Sequence, residues 1–114
     1  MKKIEILVLG KNPKILATLL RLINANDTWH GEGTMDEEIA IEKCQQRPYD
    51  ILMLGAGISA EVEKKLRAVI GRLYPDMKII QHFGGGSGLL LAQIEQALAV
   101  KQRSNFSIVD NPFA

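Results

Sequence analysis

The stretch Tyr49-Asp50-Ile51-Leu52-Met53-Leu54-Gly55-Ala56-Gly57 decides how the rest of the chain is read. Ile51 to Leu54 is an unbroken apolar run rather than an alternating one. That is the pattern of a parallel strand covered by helices on both faces, since neither face then meets water. The run is too short to cross a membrane, and it stops at a glycine turn. In open parallel sheets, ligands and chemistry sit just outside the carboxyl ends of the strands, so Gly55-Ala56-Gly57 marks where a site is to be sought. The residues there carry no carboxylate, hydroxyl, thiol or imidazole.

Upstream of this strand, Ile4 to Leu9 is a second apolar run, closed by Gly10. Asn12-Pro13 then supplies a helix N-cap followed by proline in the first turn. Ile15, Leu16, Leu19, Leu20, Leu22 and Ile23 recur at helical spacing and predict one apolar face. Trp29 to Gly33, with two glycines and a histidine, predicts a short edge strand. Thr34 followed by Glu37 forms a capping-box pattern, predicting a helix whose apolar side is Met35, Ile39, Ala40 and Cys44 and which Arg47-Pro48 ends.

Downstream, Ser59 is the expected N-cap of a helix burying Val62, Leu66, Val69, Ile70 and Leu73. Its other face, with Glu61, Glu63, Lys64, Lys65 and Arg67, reads as a solvated mixed-charge surface. Tyr74-Pro75-Asp76 is a turn, Lys78 to Phe83 the next strand, and Gly84 to Gly88 a glycine run interrupted by Ser87. Leu90, Leu91, Ile94, Ala97 and Leu98 then mark an amphipathic helix running to about Arg103. Phe106 to Val109 predicts a short strand, stopped by Asn111-Pro112. Strands alternating with helices through short connections give a doubly wound α/β sheet.

The bulk composition narrows the function classes. At 114 residues the chain is read as a single domain, 1–114, with 104–114 as its terminal strand and tail. A net charge of +1 provides no basic field for nucleic acid, and Trp29 and Phe83 are too few for a base-stacking platform. Met1-Lys2-Lys3 leads straight into a strand rather than a signal-peptide core, so the expectation is a cytoplasmic protein without a membrane partner. Cys44 is expected to be a buried, inert thiol. His30 and His82 have no cysteine or carboxylate at ligand spacing, so neither a metal nor another cofactor is expected. Ser59 and Ser87 lie outside any nucleophile-elbow pattern, and no other constellation supports an enzyme.

In this order of elements the chain resembles a bacterial response-regulator receiver domain over nearly its whole length. Ile6-Leu7-Val8-Leu9-Gly10-Lys11-Asn12-Pro13 is similar to that family's first strand and loop, where two acidic residues normally follow the apolar run. Trp29-His30-Gly31-Glu32-Gly33-Thr34 and Asp36-Glu37-Glu38 resemble its second strand and helix start. Pro48-Tyr49-Asp50-Ile51-Leu52-Met53-Leu54-Gly55 resembles the third strand, with Gly55 at the phospho-accepting aspartate. Phe83 falls where the family places threonine or serine. Ile108-Val109-Asp110-Asn111-Pro112-Phe113 resembles the fifth strand and its lysine-proline turn, with Asp110 or Asn111 in place of the lysine.

The resemblance implies a flavodoxin-like sheet of order 2-1-3-4-5 and a signalling context, while its functional positions are all departures. Receiver phosphorylation needs an aspartate nucleophile, carboxylate oxygens around magnesium, and a lysine and hydroxyl to balance the phosphate. Gly10 offers no side-chain oxygen, Lys11 adds a repelling cation, and Gly55 has no nucleophile. Asp50 lies roughly 16 Å from that position at ~3.3 Å per residue. A pseudo-receiver working by protein contact, independent of phosphorylation, is the resulting expectation. The alternative is a small anion or nucleotide site made by the glycine turns with Lys11, Gly57, Gly85, Gly86 and Ser87, although none of these turns matches a known phosphate signature.

Relative to the family, one helix is missing. The favoured register makes Ser87 to Arg103 the fourth helix and drops the fifth. The other makes it the final helix, with the fourth helix and fifth strand deleted. Both leave part of the sheet open, which predicts a homodimer whose seam holds Phe106, Ile108 and Phe113.

Overall fold

The structure, a computed structural model, describes residues 3–82 and 88–99. The two apolar runs become its central strands, β1 (Ile4–Leu9) and β3 (Ile51–Leu54). They pair in parallel from Ile6↔Ile51 to Leu9↔Leu54. β2 (Trp29–Thr34) flanks β1 and β4 (Lys78–Gln81) flanks β3, in the expected order β2-β1-β3-β4. The predicted fifth strand, with Phe106, Ile108 and Phe113, lies outside the described residues.

Successive side chains of a strand point to opposite faces, and here both faces are apolar. Ile6, Val8, Ile51 and Met53 enter one core, while Leu7, Leu9, Leu52 and Leu54 enter the other. All eight are 0% exposed. Asp50 Oδ2 accepts from the Glu5 amide at 2.8 Å, which fixes the β1–β3 register at its amino end.

Four helices cover the sheet: α1 (Pro13–Asn24), α2 (Glu37–Gln46), α3 (Ala60–Leu73) and α4 (residues 88–99). Asn12 caps α1 as expected, its Oδ1 accepting from the Lys14 and Ile15 amides. Ile15 is exposed, however. The buried stripe of α1 is Leu19 and Ile23, supported by Leu16, Leu20 and Leu22. Ser59 caps α3, which buries Leu66 and Ile70 and leaves Leu73 exposed at its last position. Leu91 of α4 is likewise exposed, while Leu90, Ile94 and Ala97 are buried.

The start of α2 corrects the capping-box expectation. Thr34 stays in β2 opposite Leu9, and the N-cap is Asp36, whose Oδ1 accepts from the Glu38 and Ile39 amides. A carboxylate at the positive end of a helix fills this role as well as a hydroxyl and adds a favourable charge. Met35 therefore precedes the helix, and the buried stripe is narrower than expected. Ala40 and Cys44 are buried, Ile41 packs beside them, and Met35 and Ile39 are exposed.

α4 packs on the face of the sheet that α1 covers. Leu90, Ile94 and Ala97 share a core with Leu19 and Ile23 of α1, whereas α2 and α3 pack in the opposite core. A right-handed crossover from β4 to a further neighbouring strand would place the helix on α3's face. The described sheet has four strands and four helices, as in a flavodoxin-like fold that lacks its last strand and helix. With two helices on each face, the expected open face is absent among the described residues. What stays half-buried is β4, along its whole length.

β2 is an edge strand as expected, and its glycines explain how that edge is sealed. A Cβ on Gly31 would lie 2.9 Å from Ile23 Cγ2, and one on Gly33 would lie 2.8 Å from Leu20 Cδ1. α1 therefore packs on bare backbone. Asn24 accepts from the Gly31 amide at 2.8 Å and donates to its carbonyl at 3.2 Å, imitating a neighbouring strand. Gly31→Ala is expected to destabilise the fold by about 1–3 kcal/mol through overpacking. Gly71→Ala, on the exposed side of α3 with nothing within 4 Å, should instead stabilise by about 0.4–1 kcal/mol. Urea unfolding of the two variants checks both signs.

Candidate functional site

The carboxyl ends of β1 and β3 bring together Gly10, Lys11, Gly55 and Gly57. The Gly10 amide donates to Thr34 O at 3.1 Å, the Gly55 amide to Leu9 O at 2.7 Å, and the Lys11 amide to Ala56 O at 3.1 Å. Lys11 Nζ donates to Met35 O at 2.8 Å, tying the loop after β1 to the loop after β2. The ammonium thus holds backbone. Phe83, Gly85, Gly86, Ser87 and Asp110, the remaining members of the two sequence-derived sets, lie outside the described residues.

Steric necessity separates these glycines. Gly57 has φ +87°, and a Cβ there would lie 2.8 Å from Lys11 Cβ, so conformation and space both demand glycine. Gly55 is different. Its Cβ would meet Leu9 O at 3.5 Å and Gly10 Cα at 3.7 Å, ordinary contacts, and a Cβ on Gly10 would meet nothing within 4 Å. At those two positions a side chain has room at its base, so turn geometry does not require their glycines. Among the described residues, no three His, Cys, Asp or Glu side chains gather where they could hold a metal ion.

Charge collects instead at the opposite end of the β1–β2 pair. Glu5 and His30 face each other across the ladder, with His30 Nδ1 2.8 Å from Glu5 Oε1. Arg47, which closes α2, reaches Glu5 at 2.9 Å and Glu32 at 2.7 Å and lies over the Tyr49 ring. Tyr49 Oη donates to Glu32 Oε1 at 2.8 Å. His30 thus gains a carboxylate neighbour that does not stand at ligand spacing in the sequence. Glu5 and His30 are 25 residues apart, and only the strand register joins them. The Tyr49 bond, helped by Arg47 and Lys43, holds the Glu32 carboxyl below its ordinary pKa, against the opposing effect of burial. Burial, then the bond to Glu32, pushes the Tyr49 phenol up.

Two buried groups from the sequence reading also find their places. Cys44 is 2% exposed and burial raises its thiol to about 11, which keeps it protonated and unreactive at neutral pH. His82 is buried where β4 meets α4. Its Nδ1 pairs with Gln93 Oε1, and Gln93 Nε2 donates to Gln81 O at 3.1 Å. No helix among the described residues is long and apolar enough to cross a membrane.

No family profile matches the chain, and no curated protein does. Solved structures do. A signal receiver domain of an HD domain-containing protein from Pseudomonas fluorescens superposes with TM-score 0.77 at 19% identity, over 92% of this chain and 93% of that one. HP1043, an orphan response regulator of H. pylori, gives TM-score 0.70 at 14% identity, over 83% and 96%. The non-phosphorylated receiver domain of the stress response regulator RcsB from Escherichia coli gives 0.57 at 13% identity, over 84% and 76%. The chain has the receiver-domain fold.

Two outcomes follow from the site geometry. Gly55→Ala should leave stability unchanged or raise it by up to about 1 kcal/mol, whereas Gly57→Ala should cost more than about 1 kcal/mol. Chemical denaturation of the pair reads the contrast. For Glu32, the lowered folded pKa means that its contribution is complete above the unfolded carboxylate pKa and is lost as pH falls through the folded value. Unfolding free energy measured from about pH 6 to about pH 3 should therefore fall, and Glu32→Gln should flatten that slope.

Proposed function

We propose that the chain is a receiver-like signalling module that works through protein contacts, as a homodimer and without phosphoryl transfer. The observation carrying this reading is Gly55. The carboxyl end of the central strand has space for a side chain, yet supplies no nucleophile, and its neighbours Gly10 and Lys11 supply no carboxylate for magnesium. Lys11 serves the loops through Met35 O, which gives the anion-binding alternative no supporting contact.

On this reading the chain is not an enzyme, needs no cofactor, and sits in the cytoplasm with protein partners rather than nucleic acid or membrane. Its near-neutral charge supports that choice of partner, since electrostatic attraction to phosphate backbones requires a basic face. The receiver-fold neighbours support the signalling context.

Incubation with acetyl phosphate and magnesium, followed by intact-mass and peptide mass spectrometry, should show no phosphoryl adduct. Millimolar phosphate should leave the melting temperature unchanged, because a ligand that binds only the folded state would raise it. A magnesium-dependent adduct on a residue at the carboxyl edge of the sheet would overturn the reading.

A further inference from the structure

We infer that two copies of this chain join edge to edge through β4, antiparallel about a two-fold axis at Ile80, making one continuous eight-stranded sheet. The inference rests on the reading of the chain as a protein-contact module and names its partner surface.

The first ground is the backbone of β4. The Lys78 amide donates to Asp50 O and the His82 amide to Leu54 O, so the even-numbered residues of this strand face β3. Ile79 and Gln81 consequently point their backbone groups outward. Among the described residues their carbonyls are held only by side chains, Ile79 O by Arg67 Nη1 at 3.3 Å and Gln81 O by Gln93 Nε2 at 3.1 Å. Their amides meet no acceptor among the described residues. An antiparallel neighbour centred on Ile80 sets Ile79 opposite the second copy's Gln81, and Gln81 opposite its Ile79. Both outward residues then form hydrogen-bonded pairs. Each carbonyl keeps a second lone pair for its present side-chain donor.

Charge is the second ground. In this register Lys78 falls opposite the second copy's His82, so the lysines are not set against each other. On the α3 face, Arg67 lies level with Ile79 through its bond to Ile79 O, and Glu63 lies one turn nearer the carboxyl edge, paired to Arg67 at 2.9 Å. The two-fold therefore brings Arg67 of one copy against Glu63 of the other, and the reverse. The flank complements itself.

Packing is the third. On the other face, a hollow of about 310 Å³ runs along the seam between β4 and α4, lined by Lys78, Ile79, Ile80, Gln93, Gln96 and Ala97. Its walls are apolar side chains, a lysine stem and neutral amides, which a second α4 can meet without burying an unpaired charge. Among the described residues β4 is the last strand of the sheet. A strand of the same chain added beside β4 after a helix on the α1 face would need a left-handed crossover, which parallel units almost never adopt.

Sedimentation of the full chain at about 50 µM should show a dimer. Gln81→Pro removes one outward amide while leaving the β3–β4 hydrogen bonds in place, and should weaken dimerisation at least tenfold with an unchanged circular dichroism spectrum. Arg67→Glu should weaken it as well, by setting like charges against each other, and adding Glu63→Arg should restore it. The swap carries the test if the proline variant fails to fold. Ile108→Asp should leave the dimer intact. A monomer at that concentration, a dimer indifferent to both Gln81→Pro and Arg67→Glu, or a dimer abolished by Ile108→Asp would each overturn the β4 seam. The last outcome would give the seam to the chain's own terminal segment. None of these results touches the phosphorylation test.

Discussion

The whole structure depends on covering a parallel sheet from both sides. Eight side chains on β1 and β3 lose all contact with water, and they alternate between two separate cores. At roughly 1.5–3 kcal/mol for each fully buried Leu, Ile, Val or Met side chain, this pair of strands supplies one of the largest apolar gains available to a chain of this size. No one-sided arrangement could realise it. The requirement for a helical layer on each face then dictates the length of the connections, the amphipathic stripes and the placement of α4.

That same constraint explains what could be read from residue order. Continuous apolar runs announce two-sided burial, so β1 and β3 were legible, as was β2 as an edge because Gly31 and Gly33 cannot pack as a central strand does. Caps made by one side chain on its own helix, Asn12 and Ser59, were also legible. Less visible were features settled by competition or by tertiary placement. Thr34 and Asp36 both cap well, and strand pairing with Leu9 claimed Thr34. Ile15 obeys the helical period but stays exposed, outside the core that Leu19 and Ile23 enter. The side on which α4 packs is absent from its periodicity, which shows that a face is apolar without saying which core it meets.

The candidate site shows a similar division. Glycine at the carboxyl edge was apparent from sequence, but the difference between Gly57, which the backbone requires, and Gly55, which it does not, needed coordinates. The polar group of Glu5, His30, Glu32, Arg47 and Tyr49 was invisible, because its members come from three separate places in the chain and meet through strand register. Alternating charged and small residues along β2 were the one local hint. They place Glu32 and His30 on the same side of the strand, toward α2.

The two borders of the sheet are finished differently, and this limits what the molecule can build. At β2, Asn24 occupies both hydrogen-bonding groups of Gly31 and α1 packs against Gly31 and Gly33, so a strand added there would have to displace Asn24. At β4, among the described residues, the outward carbonyls are covered only by two side chains that can swing away. A subunit with two open borders could propagate into a fibre, since each addition would expose another border. With only the β4 border available, as in the pairing inferred above, growth of the sheet would terminate as soon as that border is used.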